Sequence, residues 1–171
     1  ELAMQITDEL RDIAVYHEGV RVVCLYGGEP IGKQINALKR RPQIVVATPG
    51  RLSDHMKRRT VVVKDVQTVV LDEADRMLDM GFIHDVTRIL DKIPSRKNLG
   101  MFSATISRAV MDISWVYQRD PEEITVQATK ENKPDILQYR LEVASDAKVD
   151  TIAKIIAAED LERVICFCNT K

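Results

Sequence analysis

Apolar residues fall into two alternating patterns along the chain. Short, nearly continuous apolar runs at 20–28, 43–49, 66–72 and 99–105 are typical of strands buried within a sheet. Single helices between such strands favour an α/β fold with a mostly parallel sheet covered by helices on both faces. The predicted helices are marked by Leu2, Ile6, Leu10 and Ile13; by Ile31, Ile35 and Leu38; by the polar segment 51–59; by Ile83, Val86, Leu90 and Ile93; and by Val110, Ile113 and Tyr117 after the capping residue Ser107.

The pattern changes after Pro121. Residues 121–127 are expected to supply a last short strand, and the polar segment 128–136, which a proline interrupts, has the composition of a linker. We therefore predict that one domain covers residues 1–127 and that a second begins at 137 and continues to 171.

The second domain begins with the same order of elements. Its pattern predicts a strand at 138–143, a helix with Val149, Ile152 and Ile156 on one face, and an apolar strand near the end of the sequence. At the other end, no Ser, Thr, Asp or Asn precedes the first helix to cap it. We therefore expect the sequence to be a piece of a longer protein that starts and stops inside structural elements.

Composition narrows the class of protein. The 171 residues are 45% hydrophobic and 30% charged, which fits a soluble globular chain. No apolar run reaches the length of about 18 residues that a membrane span requires, and no signal peptide is recognisable. The net charge of -1 means that a nucleic acid would be held by a local patch. Three unpaired cysteines, Cys24, Cys166 and Cys168, fit a reducing cytoplasm.

Four carboxylates, those of Asp72, Glu73, Asp75 and Asp79, lie at or just beyond the end of the third predicted strand. In parallel sheets, functional groups gather at the carboxyl ends of strands. An Asp there can hold Mg²⁺, directly or through water, and a neighbouring Glu can orient or deprotonate an attacking water in phosphoryl transfer. The alternative is structural, since acids also cap helices and favour their positive N-termini.

Six short motifs occur in a fixed order with these acids: ELA at 1–3, YGG at 26–28, TPGR at 48–51, VLDEAD at 70–75, SAT at 103–105 and VICFCNTK at 164–171. Together they resemble the DEAD-box ATP-dependent RNA helicases of superfamily 2, and the resemblance covers essentially the whole chain. It implies a RecA-like α/β fold of the P-loop NTPase type, truncated in its first domain and followed by the start of a second RecA-like domain.

The resemblance assigns ATP chemistry to five residues. Asp72 would position Mg²⁺ through water on the phosphates of ATP, and Glu73 would activate the attacking water. Asp75 would connect this site to the SAT motif, where the hydroxyls of Ser103 and Thr105 would couple hydrolysis to strand separation. We expect a direct bond of about 2.5–3.0 Å between the Asp75 carboxylate and one of these hydroxyls.

The resemblance also assigns contacts with the RNA backbone, independent of base sequence. Hydroxyl, guanidinium and backbone N–H groups would bind phosphate oxygens, and glycine would let the chain approach the sugar-phosphate backbone. Taken alone, both motifs involved are ordinary turn chemistry. The residues assigned to RNA are Gly27, Gly28, Thr48, Pro49, Gly50, Arg51 and Thr170.

The chain lacks a Gly-rich phosphate loop that ends in Gly-Lys-Ser or Gly-Lys-Thr, and the family's Arg-rich motif is also missing. The first hypothesis is therefore that the intact parent is an ATP-dependent RNA helicase of which this chain is an inactive part. The second is that the chain alone is a weak RNA-backbone-binding module without ATPase activity. The third is an unrelated α/β protein in which DEAD is incidental.

Other polar groups are expected to be structural. The two basic runs, 39–41 and 57–59, follow helix ends and fit solvated surface. Cys166 and Cys168 are expected to pack on one face of a buried strand. His17, His55 and His84 have no metal-ligand spacing.

Overall fold

Strands and helices alternate through the first two thirds of the computed structural model, which describes residues 1–126 and 136–168. This order confirms the predicted α/β alternation, although every strand is shorter than its apolar run. The elements are α1 Leu2–Ala14, β1 Val22–Leu25, α2 Ile31–Leu38, β2 Ile44–Ala47, α3 Pro49–Lys57, β3 Thr68–Leu71, α4 Ala74–Asp79, α5 Ile83–Asp91, β4 Asn98–Met101, α6 Arg108–Tyr117, a 3-10 turn Ser145–Ala147 and α7 Lys148–Ala158.

The strands form two parallel pairs. In the first pair β1 lies beside β2, with Leu25 opposite Ala47, and in the second β3 lies beside β4, with Leu71 opposite Met101. In the part of the chain that the structure describes, the two pairs are not joined into one sheet. Because paired parallel strands end at the same edge, the YGG and TPGR loops are neighbours, and so are the DEAD and SAT segments.

The core of the second pair is a cluster of Val86, Leu90 and Ile113. These residues come from the predicted apolar faces of α5 and α6, and together they cover the β3–β4 pair. The cluster fixes the strand ends that carry the acids. Partly buried residues that pack against it are Val69, Leu71, Leu78, Phe82, Ile83, Leu99, Met101 and Tyr117.

Helix α3 connects the two strand pairs by packing against α5. A Cβ atom added at Gly50 would lie 3.7 Å from the ring of Phe82 and 4.0 Å from the carboxylate of Asp85. The TPGR segment therefore begins a helix whose first turn contacts the element that follows the DEAD segment.

The predictions for the later part of the chain are confirmed only for one helix. The expected strands at 121–127 and 138–143 and near residue 168 are not formed where the structure describes these residues. Extended segments become strands only when a neighbouring strand exchanges backbone hydrogen bonds with them, and neither strand pair includes these segments. The chain divides into two units, Glu1–Glu123 and Ile124–Lys171, while the predicted linker lies almost wholly outside the described residues.

The prediction of core packing for two cysteines is wrong. Cys166 and Cys168 are exposed, with their Sγ atoms 3.7 Å apart, and Phe167 between them is 92% exposed. The apolar pattern was read as a buried strand, but burial requires an opposing layer that the described residues do not supply. None of the helices that the structure describes is both long and apolar enough to cross a membrane.

Candidate functional site

The DEAD and SAT segments are joined by a polar cluster that we call the Asp75 centre, consisting of Asp75, Ser103 and Thr105. The Thr105 hydroxyl donates to Asp75 Oδ2 at 2.7 Å, and the Thr105 backbone N–H donates to the same oxygen at 2.8 Å. In return, the Asp75 backbone N–H donates to Ser103 Oγ at 3.2 Å. The expected direct bond between the carboxylate and an SAT hydroxyl is therefore confirmed for Thr105.

Asp75 is 6% exposed and is held as an anion by neutral donors. Its pKa is lowered chiefly by the hydrogen bond from the Thr105 hydroxyl. Burial acts in the opposite direction, while the backbone N–H groups of Arg76 and Thr105 and the hydroxyl of Ser103 add to the lowering. The carboxylate therefore stays ionised while being bonded to the neighbouring strand end.

Asp72 and Glu73 lie at the carboxyl end of β3 and are both exposed. Asp72 Oδ1 accepts the backbone N–H of Glu73 at 3.0 Å, and Glu73 Oε2 lies 3.6 Å from Nε of Arg76. The N-cap residue of α4, Glu73, makes no side-chain cap bond, while Asp75 lies in the first turn and accepts the Arg76 backbone N–H at 2.9 Å. Both carboxylates are accessible to a ligand.

The backbone of Glu73 is left-handed, with φ 46° and ψ 48°. Few residues other than glycine adopt this conformation, and it costs about 1–3 kcal/mol. It turns the chain sharply between β3 and α4, so that Asp72 and Glu73 stay at the strand end while Asp75 is directed to the SAT segment.

The acids fit a hard cation such as Mg²⁺. Carboxylate oxygens are its preferred protein ligands, and it is commonly bound by one or two carboxylates together with water and substrate phosphates. Among residues 1–126 and 136–168 there is no group of three or more His, Cys, Asp or Glu side chains that could hold a metal alone. Asp72 and Glu73 could thus supply one or two carboxylate ligands to such an ion.

The loops after β1 and β2 bring the two predicted RNA motifs together. The Thr48 backbone N–H donates to the Leu25 carbonyl at 2.9 Å, which ties the start of TPGR to the end of β1. Gly28 has φ +91°, a conformation that a side chain would strain. Pro49 occupies the start of α3, whose first turn leaves backbone N–H groups without helical partners.

A second polar cluster, the Gln34 centre, consists of Gln34, Arg51, His55, Glu29 and Thr60. Arg51 Nη1 donates to the Glu29 carbonyl at 2.9 Å and to Gln34 Oε1 at 3.0 Å. Gln34 Nε2 donates to the Tyr26 carbonyl and to Glu29 Oε2, each at 3.0 Å. The TPGR arginine is therefore bonded to the YGG loop.

His55 completes the Gln34 centre from within α3. Its Nε2 lies 3.0 Å from Gln34 Oε1 and its Nδ1 lies 2.8 Å from Thr60 Oγ1. Burial lowers the pKa of His55, and the positive charges of Arg51 and Arg58 add to this effect, while Asp54 opposes it. These effects favour the neutral form of the ring over the charged form.

Sequence reasoning missed Gln34 and His55. His55 was noted only for lacking metal-ligand spacing, and Gln34 was not singled out. The available signal was the position of Gln34 on α2, beside Ile31, Ile35 and Leu38, where a polar residue interrupts the apolar face. A buried polar residue needs partners, so such an interruption indicates a hydrogen-bonded cluster.

The remaining candidates are not part of either centre. Thr170 lies outside the described residues. The basic runs are exposed as expected; Arg58 forms an ion pair with Asp54, with 2.8 Å between Nε and Oδ1, and the Arg40 carbonyl accepts from Arg21.

With this geometry established, comparison with known proteins defines the class. The family model of the DEAD/DEAH box helicases matches residues 1–113, so the chain belongs to the DEAD/DEAH box helicase family. All 171 residues align at 42% identity with the DEAD-box ATP-dependent RNA helicase CshA of Bacillus subtilis (strain 168). The identity is 41% with the ATP-dependent RNA helicase DeaD of Escherichia coli (strain K12). The alternative of an incidental DEAD sequence is thereby excluded.

Solved structures agree with this assignment. A DEAD box protein from the hyperthermophile Methanococcus jannaschii matches 91% of the chain with a TM-score of 0.68 and 35% identity, over 41% of its own length. A hypothetical ATP-dependent RNA helicase from Sulfolobus tokodaii matches 71% of the chain with a TM-score of 0.67 and 37% identity, over 36% of its own length. The RecA-like α/β fold is thus confirmed. The chain spans 34% of the length of CshA and 27% of DeaD.

Proposed function

We propose that the protein to which this chain belongs is an ATP-dependent RNA helicase that couples ATP hydrolysis to RNA binding and local duplex separation. The 171 residues would supply the acidic part of the ATP site and part of the RNA track. Family membership and the relatives named as ATP-dependent RNA helicases support this proposal.

On the ATP side, Asp72 would hold Mg²⁺ through water and Glu73 would take a proton from the attacking water. When bound, the ion would neutralise charge on the phosphates. The accessible carboxylates at the end of β3 support these roles, because one oxygen of Asp72 is already fixed by the Glu73 N–H at 3.0 Å. Because this bond holds Oδ1, it also fixes the orientation of Oδ2, the other oxygen of the Asp72 carboxylate.

The observation that carries the proposal is the pair of bonds from Thr105 to Asp75, at 2.7 and 2.8 Å. They connect the acidic segment that would meet ATP with the end of the neighbouring strand. A change of position in one segment therefore displaces a bonded group in the other. This is a physical route by which hydrolysis could alter RNA binding.

On the RNA side, we assign contacts to Gly27, Gly28, Thr48, Gly50 and Arg51, with Pro49 setting the first turn of α3. These groups offer one guanidinium, one hydroxyl and backbone N–H groups, which suit phosphate and sugar oxygens rather than base edges. The binding would therefore be independent of RNA sequence.

The test uses the full-length protein that contains this chain. RNA-stimulated ATP hydrolysis and unwinding of a short duplex are measured for wild type, Glu73→Gln and Asp79→Asn. Loss of a general base lowers rates by about 10²–10⁴-fold, so Glu73→Gln should lose both activities. Asp79→Asn, at an exposed acid on the helix α4 that Glu73 precedes, should retain both. Normal turnover by Glu73→Gln would refute the proposal.

For the chain alone, we propose weak binding of RNA backbone without ATP turnover. The absence of a Gly-Lys-Ser or Gly-Lys-Thr loop from the 171 residues favours this function. We place the protein in the cytoplasm as part of the same proposal, because the three cysteines of this chain are free thiols.

A further inference from the structure

The guanidinium of Arg51 is half engaged inside the protein. Its Nη1 atom makes both hydrogen bonds of this side chain with the residues that the structure describes, to the Glu29 carbonyl and to Gln34 Oε1, at 2.9 and 3.0 Å. A guanidinium carries five N–H donors in a rigid plane. When Nη1 is anchored, the direction of the remaining donors is fixed by whatever holds Nη1.

The amide of Gln34 is oriented without ambiguity. Arg51 can only donate, so Oε1 must face it, and the Tyr26 carbonyl can only accept, so Nε2 must face that side. Nε2 uses both of its protons, on Tyr26 and on Glu29, and Oε1 accepts from Arg51 and from His55. All four hydrogen-bonding positions of a side chain that is only 2% exposed are filled.

The proton on Nε2 of His55 follows from the same reasoning. Because Gln34 Oε1 only accepts, Nε2 of His55 must donate to it, while Nδ1 lies 2.8 Å from Thr60 Oγ1, whose hydroxyl donates to the His55 carbonyl at 3.1 Å. The ring is fully buried, so it cannot turn away from Gln34 without losing both bonds. His55 therefore fixes the amide that fixes the arginine.

We propose that Gln34 and His55 are positioning residues for RNA-backbone binding: they hold Arg51 and the YGG loop in one arrangement before RNA arrives. This inference rests on the proposed RNA contacts of Arg51 and extends them to two buried residues that touch no ligand. A satisfied buried network restricts the motion of its members, so the free donors of Arg51 are directed in advance.

The experiment measures binding of a fluorescently labelled oligouridine to the full-length protein over a series of salt concentrations. Gln34→Ala should raise the Kd about tenfold, which is the loss expected for one charge-assisted hydrogen bond. It should also reduce the slope of log Kd against log salt by about 0.7, the contribution of one phosphate contact on a single strand. The KM for ATP and the RNA-saturated kcat should stay within about twofold of wild type.

A double-mutant cycle separates positioning from general stability. If Gln34 acts through Arg51, then Gln34→Ala should weaken binding less than about twofold in an Arg51→Ala background. Val86→Ala, a change in the apolar core, should lower the melting temperature without changing the salt slope. Ser53→Ala, on the same helix as Arg51, should change neither quantity.

A second pair of variants keeps the test decisive if Gln34→Ala folds poorly. His55→Ala should weaken RNA binding about threefold, and His55→Gln should restore it, because a glutamine amide can donate to Gln34 Oε1 as Nε2 does.

Equal affinities for wild type, Gln34→Ala and His55→Ala would overturn the inference, as would full additivity in the cycle. If Arg51→Ala itself leaves the Kd unchanged, the proposed RNA role of the loop fails, and the inference fails with it.

Discussion

The Asp75 centre and the Gln34 centre both connect loops by hydrogen bonds, but the first is built around a carboxylate and the second includes the guanidinium of Arg51. Each connects the segments that follow two paired parallel strands, β3 with β4 in one case and β1 with β2 in the other. The Asp75 centre has an anion surrounded by hydroxyl and amide donors. The Gln34 centre has a neutral amide that receives one guanidinium.

This difference suggests how the ends of two strand pairs in one fold could suit two different ligands, a cation with ATP at β3–β4 and RNA phosphate at β1–β2. In the function proposed above, the exposed carboxylates beside the Asp75 centre would meet a cation, whereas the half-anchored guanidinium of Arg51 would present positive charge to phosphate. In both centres a charged group is held by hydrogen bonds from protein groups. The predictions that follow test whether the two centres differ in function and in their contribution to stability.

The largest expected effect concerns ATP hydrolysis, for which we propose roles for Asp72 and Glu73 beside the Asp75 centre and none for the Gln34 centre. Residues 27–33 follow β1 and match Gly-x-x-x-x-Gly-Lys, but the next residue is Gln34, whose amide is fully engaged. We therefore expect the 171-residue chain to hydrolyse ATP at background rate, with or without RNA. An RNA-stimulated phosphate-release signal from this chain that disappears in Glu73→Gln would contradict this expectation.

Loss of both SAT hydroxyls should separate hydrolysis from unwinding. In the full-length protein, Ser103→Ala combined with Thr105→Ala should lower the unwinding rate by about 5- to 150-fold, the range typical of coupling between sites. ATP hydrolysis should fall much less. Ser107→Ala, which removes only the cap of α6, is the matched control. Unwinding at the normal rate by the double variant would show that the Asp75 centre does not couple the two events.

The Gln34 centre should contribute more to stability than its counterpart. His55→Phe keeps the ring but removes both bonds, so we expect a loss of about 1–3 kcal/mol in unfolding free energy. Thr105→Val should cost less, because the Thr105 backbone N–H still donates to Asp75 at 2.8 Å. Chemical denaturation of the two full-length variants measures this order directly. A reversed order would break the comparison.

The two centres should also respond to acid in different ranges. The pKa of His55 is lowered from 6.5, so the unfolded state binds more protons and stability should decrease as pH falls below about 6.5. The pKa of Asp75 is lowered from 3.8, so its contribution is complete above that value and is lost as pH falls further. Melting temperatures of His55→Gln and Asp75→Asn across pH should each lack one of these decreases.

The smallest effect is expected at Ser53, on the same helix as His55 but outside the network. Its side chain is 2% exposed, and Oγ has no partner among the described residues. Removing an unsatisfied buried hydroxyl is nearly neutral or stabilising, within about 0.5 kcal/mol. A melting temperature clearly below that of wild type for Ser53→Ala would mean that the hydroxyl has a partner after all.

The Asp75 centre was predictable because its logic is local: acids after one strand and hydroxyls after the next must meet when the strands pair in parallel. The two loops assigned to RNA came from the resemblance to the family, and their binding of RNA stays a prediction. Gln34 and His55 were not predictable in this way, since their importance depends on which carbonyl and guanidinium lie opposite them. The missing strands after Pro121 have a related cause, because an apolar run specifies extended backbone but not its partner.

The strained backbone of Glu73, with φ 46°, indicates that the sequence at this position is not optimal for stability. A glycine would adopt its left-handed backbone without strain, and a stability screen would be expected to favour that exchange. Such a screen would remove the proposed general base. Selection for stability alone would therefore be expected to remove function at position 73 first. The strands, the helices and most of the motif would stay unchanged.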